Sequence, residues 1–157
     1  MTSLVEEIPD SDPVHRWIFA PRMWNTIQDH LIWEGIWEFK RDHHCCESVV
    51  WSRYASSRKV HELGKEQERR KLEEKPSRDI LYVGYLSGIA GKIRSFRSAR
   101  GHGFIVRHEP GEGIHHAHLC YQRAERMDLT KNDRSELSLK LKDLFPETSF
   151  QRSSASS

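Results

Sequence analysis

The chain has 157 residues, 36% hydrophobic and 31% charged, with 25 Lys and Arg against 23 Asp and Glu for a net charge of +2. That is the size of one domain able to bury a core, and no run approaches the ~18 consecutive apolar residues of a membrane span. Collagen-like, coiled-coil and disulfide-scaffold classes are excluded by composition, and a charge so nearly balanced makes its distribution a better guide to partners than its sum.

Residues 1–13 carry Glu6, Glu7, Asp10 and Asp12 with Pro9 and Pro13, and are expected to form a flexible acidic arm. Pro21 suits a first helical position, and Met23, Trp24, Ile27 and Leu31 recur at helical spacing, which predicts a helix over 21–31. In Trp33–Phe39 the aromatic residues Trp33, Trp37 and Phe39 share one parity and Glu34 and Glu38 the other, a strand pattern. Residues 57–75 are rich in good helix formers with a thin apolar stripe of Val60, Leu63 and Leu72. They predict a helix whose interleaved charges form a solvated face with little part in binding.

Pro76 ends that helix. Residues 80–86 read as a buried strand and Gly88–Gly91 as a loop, while 92–100 fit neither helix nor strand well. Two β-compatible runs around Pro110–Gly113 predict a hairpin over 103–121. Thr130 and Asp133 have capping-box spacing ahead of a stripe of Leu137, Leu141, Leu144 and Phe145, which predicts a last helix closed by Pro146. The pattern is that of an α+β domain over 14–145, a small antiparallel sheet with helices packed on one face. Residues 146–157 are expected to be a disordered Ser-rich tail. The tryptophans at 17, 24, 33, 37 and 51 are read as core.

The three cysteines, Cys45, Cys46 and Cys120, are odd in number, and the acidic N-terminus lacks the basic-then-apolar order of a secretion signal. Free thiols in a reducing compartment, the cytoplasm, are therefore expected, with no membrane partner.

The candidate chemistry lies in two stretches. With Pro110–Gly113 as the loop, Glu109 faces Ile114, Arg107 pairs with His116 and Ile105 with His118. Phe104, Val106, His108, His115, Ala117, Leu119 and Tyr121 then share the core face. Ile105, Arg107, Glu109, Ile114, His116, His118 and Cys120 share the other. On that face His116 and His118 could serve as general acid and base, with Arg107 neutralising a phosphate and Glu109 beside them. Alternatively, His116, His118 and Cys120 could ligate zinc, or the face could be only the polar side of a strand. The group His43-His-Cys-Cys46 lacks the spacing of common zinc modules and is read as incidental, and no cofactor is identified.

The second stretch, from Gly88 to Gly101, carries Lys92, Arg94, Arg97 and Arg100 without an acid and is a candidate phosphate contact. Gly91 would allow close approach, a helix start near Lys92 would attract an anion, and Phe96 could stack on a base. Gly88-Ile-Ala-Gly91 resembles the Gly-x-x-Gly loop of KH domains, although a strand precedes it here. The pair His115-His116 on a hairpin resembles the HNH nucleases, whose later helical histidine has no counterpart after His118. The run Phe104–Leu119 also resembles a small bacterial family of unknown function. The two functional expectations are a phosphate-directed protein that binds nucleic acid, with a His-dependent nuclease or phosphoesterase as its enzymatic form, and a non-catalytic module for a protein partner.

Overall fold

The computed structural model describes residues 4–39, 45–125 and 127–153. In chain order its elements are β1 (Pro13–Ala20), β2 (Trp24–Asn25), β3 (His30–Leu31), α1 (Trp33–Ile36), β4 (Cys46–Trp51), α2 (Ser57–Glu74), β5 (Leu81–Ile89), α3 (Ala90–Ser95), β6 (Gly103–His108), β7 (His116–Gln122), α4 (Lys131–Leu144) and β8 (Gln151–Arg152). Six strands form one antiparallel sheet in the order β6-β7-β4-β1-β5-β8, and β2 and β3 pair separately. The domain is α+β and its sheet contains the 103–121 hairpin, as its sequence pattern predicts; the hairpin lies at one edge. No described helix is long and apolar enough to cross a membrane.

The central strands are apolar on both sides, so both faces of the sheet need cover. Val14, Ile18, Val49 and Trp51 join the main core together with Ile93 of α3 and Leu137 and Leu141 of α4. On the opposite face, Val50 and Tyr85 pack with Val60 of α2, joined by Trp17 and Leu63. The helices were expected on one face; α3 and α4 lie there, and α2 takes the other. The register between β1 and β5 shifts between Ile18 and Phe19, leaving Val83 unpaired and turning both Tyr82 and Tyr85 towards α2. Gly64 lets α2 approach, since a Cβ there would lie 2.4 Å from the Tyr82 ring.

Two segments differ in type from their sequence pattern. Residues 21–31 are turns and the β2–β3 pair, because the Asn25 side chain accepts hydrogen bonds from the N–H groups of Ile27 and Gln28 and closes a turn. Trp24 then pairs with Leu31, and Ile27 is 94% exposed. The expected strand at 33–39 is one helical turn followed by extended chain. Its ladder is replaced by side chains: Arg16 donates to the Ile36 carbonyl, and Glu47 accepts from the N–H groups of Glu38 and Phe39. The expected loop at Gly88–Gly91 is divided between the end of β5 and the start of α3.

Both ends are packed further than expected. Ile8 is 1% exposed within the core, and the acids around it are paired, Asp12 with the Trp51 indole N–H and Asp10 with Arg94. The described part of the arm is therefore docked, because one buried isoleucine and several ion pairs tether it. At the other end Phe150 stacks on Trp24, and Gln151 and Arg152 pair with β5, so 146–153 are structured.

Two outcomes follow for stability. Alanine is the better helix former by about 1 kcal/mol, but at Gly64 it meets a tyrosine whose hydroxyl is held by His61 at 2.8 Å. Overpacking of this kind costs about 1–3 kcal/mol, so Gly64→Ala should lower the urea midpoint, and a higher midpoint would contradict the contact.

His15 is 9% exposed beside Tyr85, its Nδ1 is 2.8 Å from Ser87 Oγ, and burial pushes its pKa down to about 4. The unfolded chain then binds the extra proton between about pH 6.5 and 4, so stability falls as pH drops through that window, by about 3 kcal/mol for this residue. His15→Gln should lose correspondingly less between pH 7 and pH 4 in urea titrations; an equal loss in both chains would refute this.

Candidate functional site

The hairpin keeps its two faces but not its register. Arg107 pairs with His118 and Ile105 with Cys120, two places from the expected partners. The cause is a longer loop: Pro110–Glu112 form a 3-10 turn, Gly113 has φ 139°, and the His116 N–H donates to the Gly113 carbonyl at 2.9 Å. A slip of two preserves parity, so Arg107, His116, His118 and Cys120 still share one face. His115, expected on the core face, is in the loop and turns towards α2.

Glu109 links the group. Its backbone carbonyl accepts from His116 Nδ1 at 2.9 Å, and its carboxylate binds Arg107 Nε at 2.8 Å and lies 3.9 Å from His118 Nδ1. A carbonyl only accepts, so the proton of neutral His116 is on Nδ1, and Nε2 is the acceptor for the Ser48 hydroxyl at 3.1 Å. The His116 and His118 rings meet edge to face, 4.9 Å apart. Burial, with His116 as neighbour, lowers the His118 pKa against the opposing pull of Glu109, so this imidazole is neutral and basic near pH 7. Arg107, His116, His118 and Glu109 are thus brought together, with His116 buried and Arg107 open to solvent.

His116 also lines a crevice of about 720 Å³ between α2 and the sheet. It opens where β1 and β4 part: the two strands pair only at Val14–Trp51 and His15–Val50. Arg16 fills the gap, its guanidinium donating to the Ser48 carbonyl at 3.0 Å and pairing with Glu47 at 3.1 Å. From α2 the crevice receives Glu66, Arg70, Lys71 and Glu74. Burial and the nearby Arg78 push the Lys71 pKa down, and this lysine makes no ion pair among the described residues. His118 and Arg107 lie outside the crevice, towards the β6 edge. Ser48 and the α2 residues were missed because a lone serine in a strand and a charge-balanced helix carry no local signal.

The basic stretch is on the other side of the sheet. Ile93 packs with Phe104 and Val106, which point away from Arg107. Arg94 donates to the carbonyls of Ile8 and Val106 and pairs with Asp10 at 3.0 Å. Arg97 donates to the carbonyls of Arg94 and Phe96, both at 2.7 Å, and Arg100 binds Asp133 at 2.8 Å. The N–H groups of Ala90 and Gly91 go to the carbonyls of Asp12 and Asp10. Phe96 packs against the core. Lys92 is exposed and without a hydrogen bond or ion pair of its side chain among the described residues.

Cys46 and Cys120, a cross-strand pair of β4 and β7, are joined as a disulfide, and Cys45 is free. The expectation of three thiols is corrected by this pairing: the odd count reflects one bond and one thiol. The sequence did not show it because the pairing of β4 with β7 is decided by tertiary structure. His43 and His44 lie outside the described residues. No known protein family matches this sequence, and no curated protein or solved structure does so.

Thiol titration of the denatured, unreduced chain should find one thiol, Cys45, and three after reduction; three without reductant would remove the bond.

Proposed function

We propose that this chain, in the cytoplasm, binds a phosphate-bearing partner of the nucleic-acid class and acts on it as a His-dependent phosphoesterase of nuclease type. The observation that carries the reading is the convergence on Glu109: one residue fixes the His116 tautomer through its carbonyl and holds Arg107 beside His118 through its carboxylate. Arg107 is the anion contact, since a guanidinium can shift from a carboxylate to a phosphate with the same fork geometry. His118 is the base, taking a proton from the water whose oxygen attacks phosphorus. His116 gives a proton to the leaving oxygen as its P–O bond breaks, from Nε2 protonated in place of the hydrogen bond it accepts from Ser48. The neighbouring crevice offers room for the rest of the ligand, with Lys71 as a cation to meet it.

A second reading, a non-catalytic module for a protein partner, is favoured by one feature. The crevice mixes Arg16, Arg22, Arg70 and Lys71 with Glu38, Glu47, Glu66, Glu74 and Glu112, a lining suited to a surface that also carries both signs.

Filter binding with RNA and DNA at low and high salt, beside a cleavage assay with and without chelator, separates the two. Binding should weaken as salt rises. Arg107→Ala should remove a charge-assisted contact of about 1.5–3 kcal/mol, or about 10- to 150-fold in affinity. His116→Ala and His118→Ala should abolish turnover with less effect on binding. Absent or salt-independent binding with no cleavage leaves the protein-partner reading, and cleavage lost on chelation moves the chemistry from the imidazole pair to a metal.

A further inference from the structure

Cys46 and Cys120 face each other across β4 and β7, and His118 lies two residues before Cys120 on the same face. The two sulfurs and one imidazole nitrogen all lie within 4.8 Å of one another. His118 Nδ1 is buried and has no hydrogen-bond partner among the described residues, its nearest carboxylate oxygen, on Glu109, being 3.9 Å away. A satisfied histidine on a sheet face has no need of such an arrangement; His108 and His116 on the same hairpin use both their ring nitrogens.

We propose that Cys46, Cys120 and His118 form a binding site for a zinc-like divalent cation in the thiol form of this chain, and that the disulfide is the oxidised, metal-free form of the same site. Two thiolates and an imidazole are the donors that a borderline-soft cation prefers. With Zn–S of about 2.3 Å, tetrahedral coordination sets the sulfurs about 3.8 Å apart. Neighbouring strands already hold the two side chains on one face at a Cα separation of 4.0 Å, so side-chain rotation brings the sulfurs there once the bond is open. His118 is 30% exposed and gives the ion an entry path, and the fourth position is left to water. Cys45 is not a ligand: its sulfur is turned to Arg134 Nη2 at 3.8 Å.

The interconversion balances with a dithiol as reductant. The dithiol transfers two electrons and two protons to the Cys46–Cys120 bond and leaves as its own disulfide. The cation then displaces both thiol protons. The compartment's thiol poise and zinc supply together decide which form is present. The site shares His118 with the phosphate reading, so the metal-bound form lacks that base; its test follows metal uptake rather than phosphate binding, and the two readings fail separately.

The test uses the full chain, reduced with a phosphine under argon, desalted, and titrated with zinc against a chromophoric chelator and with cobalt(II) by absorption. The reduced chain should bind one equivalent and show the thiolate-to-cobalt charge-transfer band and the visible bands of a tetrahedral ion. The unreduced chain should show neither. Cys45→Ser should behave as the parent, His118→Gln should bind at least tenfold more weakly, and Cys120→Ser should lose the site. If Cys120→Ser does not fold, reduced parent chain alkylated with iodoacetamide takes its place and should bind none. No uptake by the reduced chain overturns the proposal, as does uptake that is unchanged in His118→Gln or that lacks the thiolate band.

Discussion

The fold depends on one ion pair set where the sheet divides. β8, β5 and β1 form one half and β4, β7 and β6 the other, joined by only two residue pairs between β1 and β4. Beyond them Arg16 serves as the ladder, donating to the Ser48 carbonyl on one side and twice to the Ile36 carbonyl on the other, with the Trp37 ring 5.0 Å from its guanidinium carbon. Glu47 neutralises it and takes the backbone N–H groups of Glu38 and Phe39. Burial works against the charge of Arg16, and Glu47 is what opposes that effect. Loss of either partner leaves a buried charge alone, a defect that costs about 3–5 kcal/mol, and here it would also free the aromatic segment that closes the core.

The same division creates the site. A continuous β1–β4 ladder would bury Ser48 in a flat sheet; its interruption opens the crevice, with α2 as the far wall. The described histidines separate by environment. His108 accepts from the Glu6 N–H at Nδ1 and faces the Ile114 carbonyl at Nε2, so both nitrogens are committed to fastening the N-terminal segment and the hairpin loop. His102 accepts from the Ala124 N–H and places Nε2 3.3 Å from Asp133, though not aligned for a hydrogen bond. His116 and His118, one residue type on one strand face, differ because His116 is fixed at both nitrogens while His118 is not.

The arginines show a similar division of labour. Three of those between 92 and 100 hold carbonyls, the N-terminal segment and the capping aspartate of α4 in place. A basic run in sequence is tied down by partners that are near for Arg97 and distant for Arg94 and Arg100. Arg107, by contrast, has only Glu109 among the described residues and is exposed to solvent, which leaves it able to exchange partners.

Local pattern determined the elements whose reasons are local. The α2 helix has its serine cap and helix formers, α4 its Thr130–Asp133 capping box, and the hairpin its turn residues and alternating faces, so Arg107, Glu109, His116 and His118 could be grouped from sequence alone. Register slipped by two because loop length depends on the 3-10 turn at Pro110, while parity survived the slip. Only the tertiary structure decided the rest. β1 and β4 are strands because both their faces are covered by distant segments; residues 33–39 are not a strand because Arg16 and Glu47 satisfy the backbone groups a neighbour would have taken. The sulfur pair, the crevice and the contacts of Arg94 with Asp10 and Arg100 with Asp133 join residues tens of positions apart, and no periodicity along a chain encodes which strands will lie side by side.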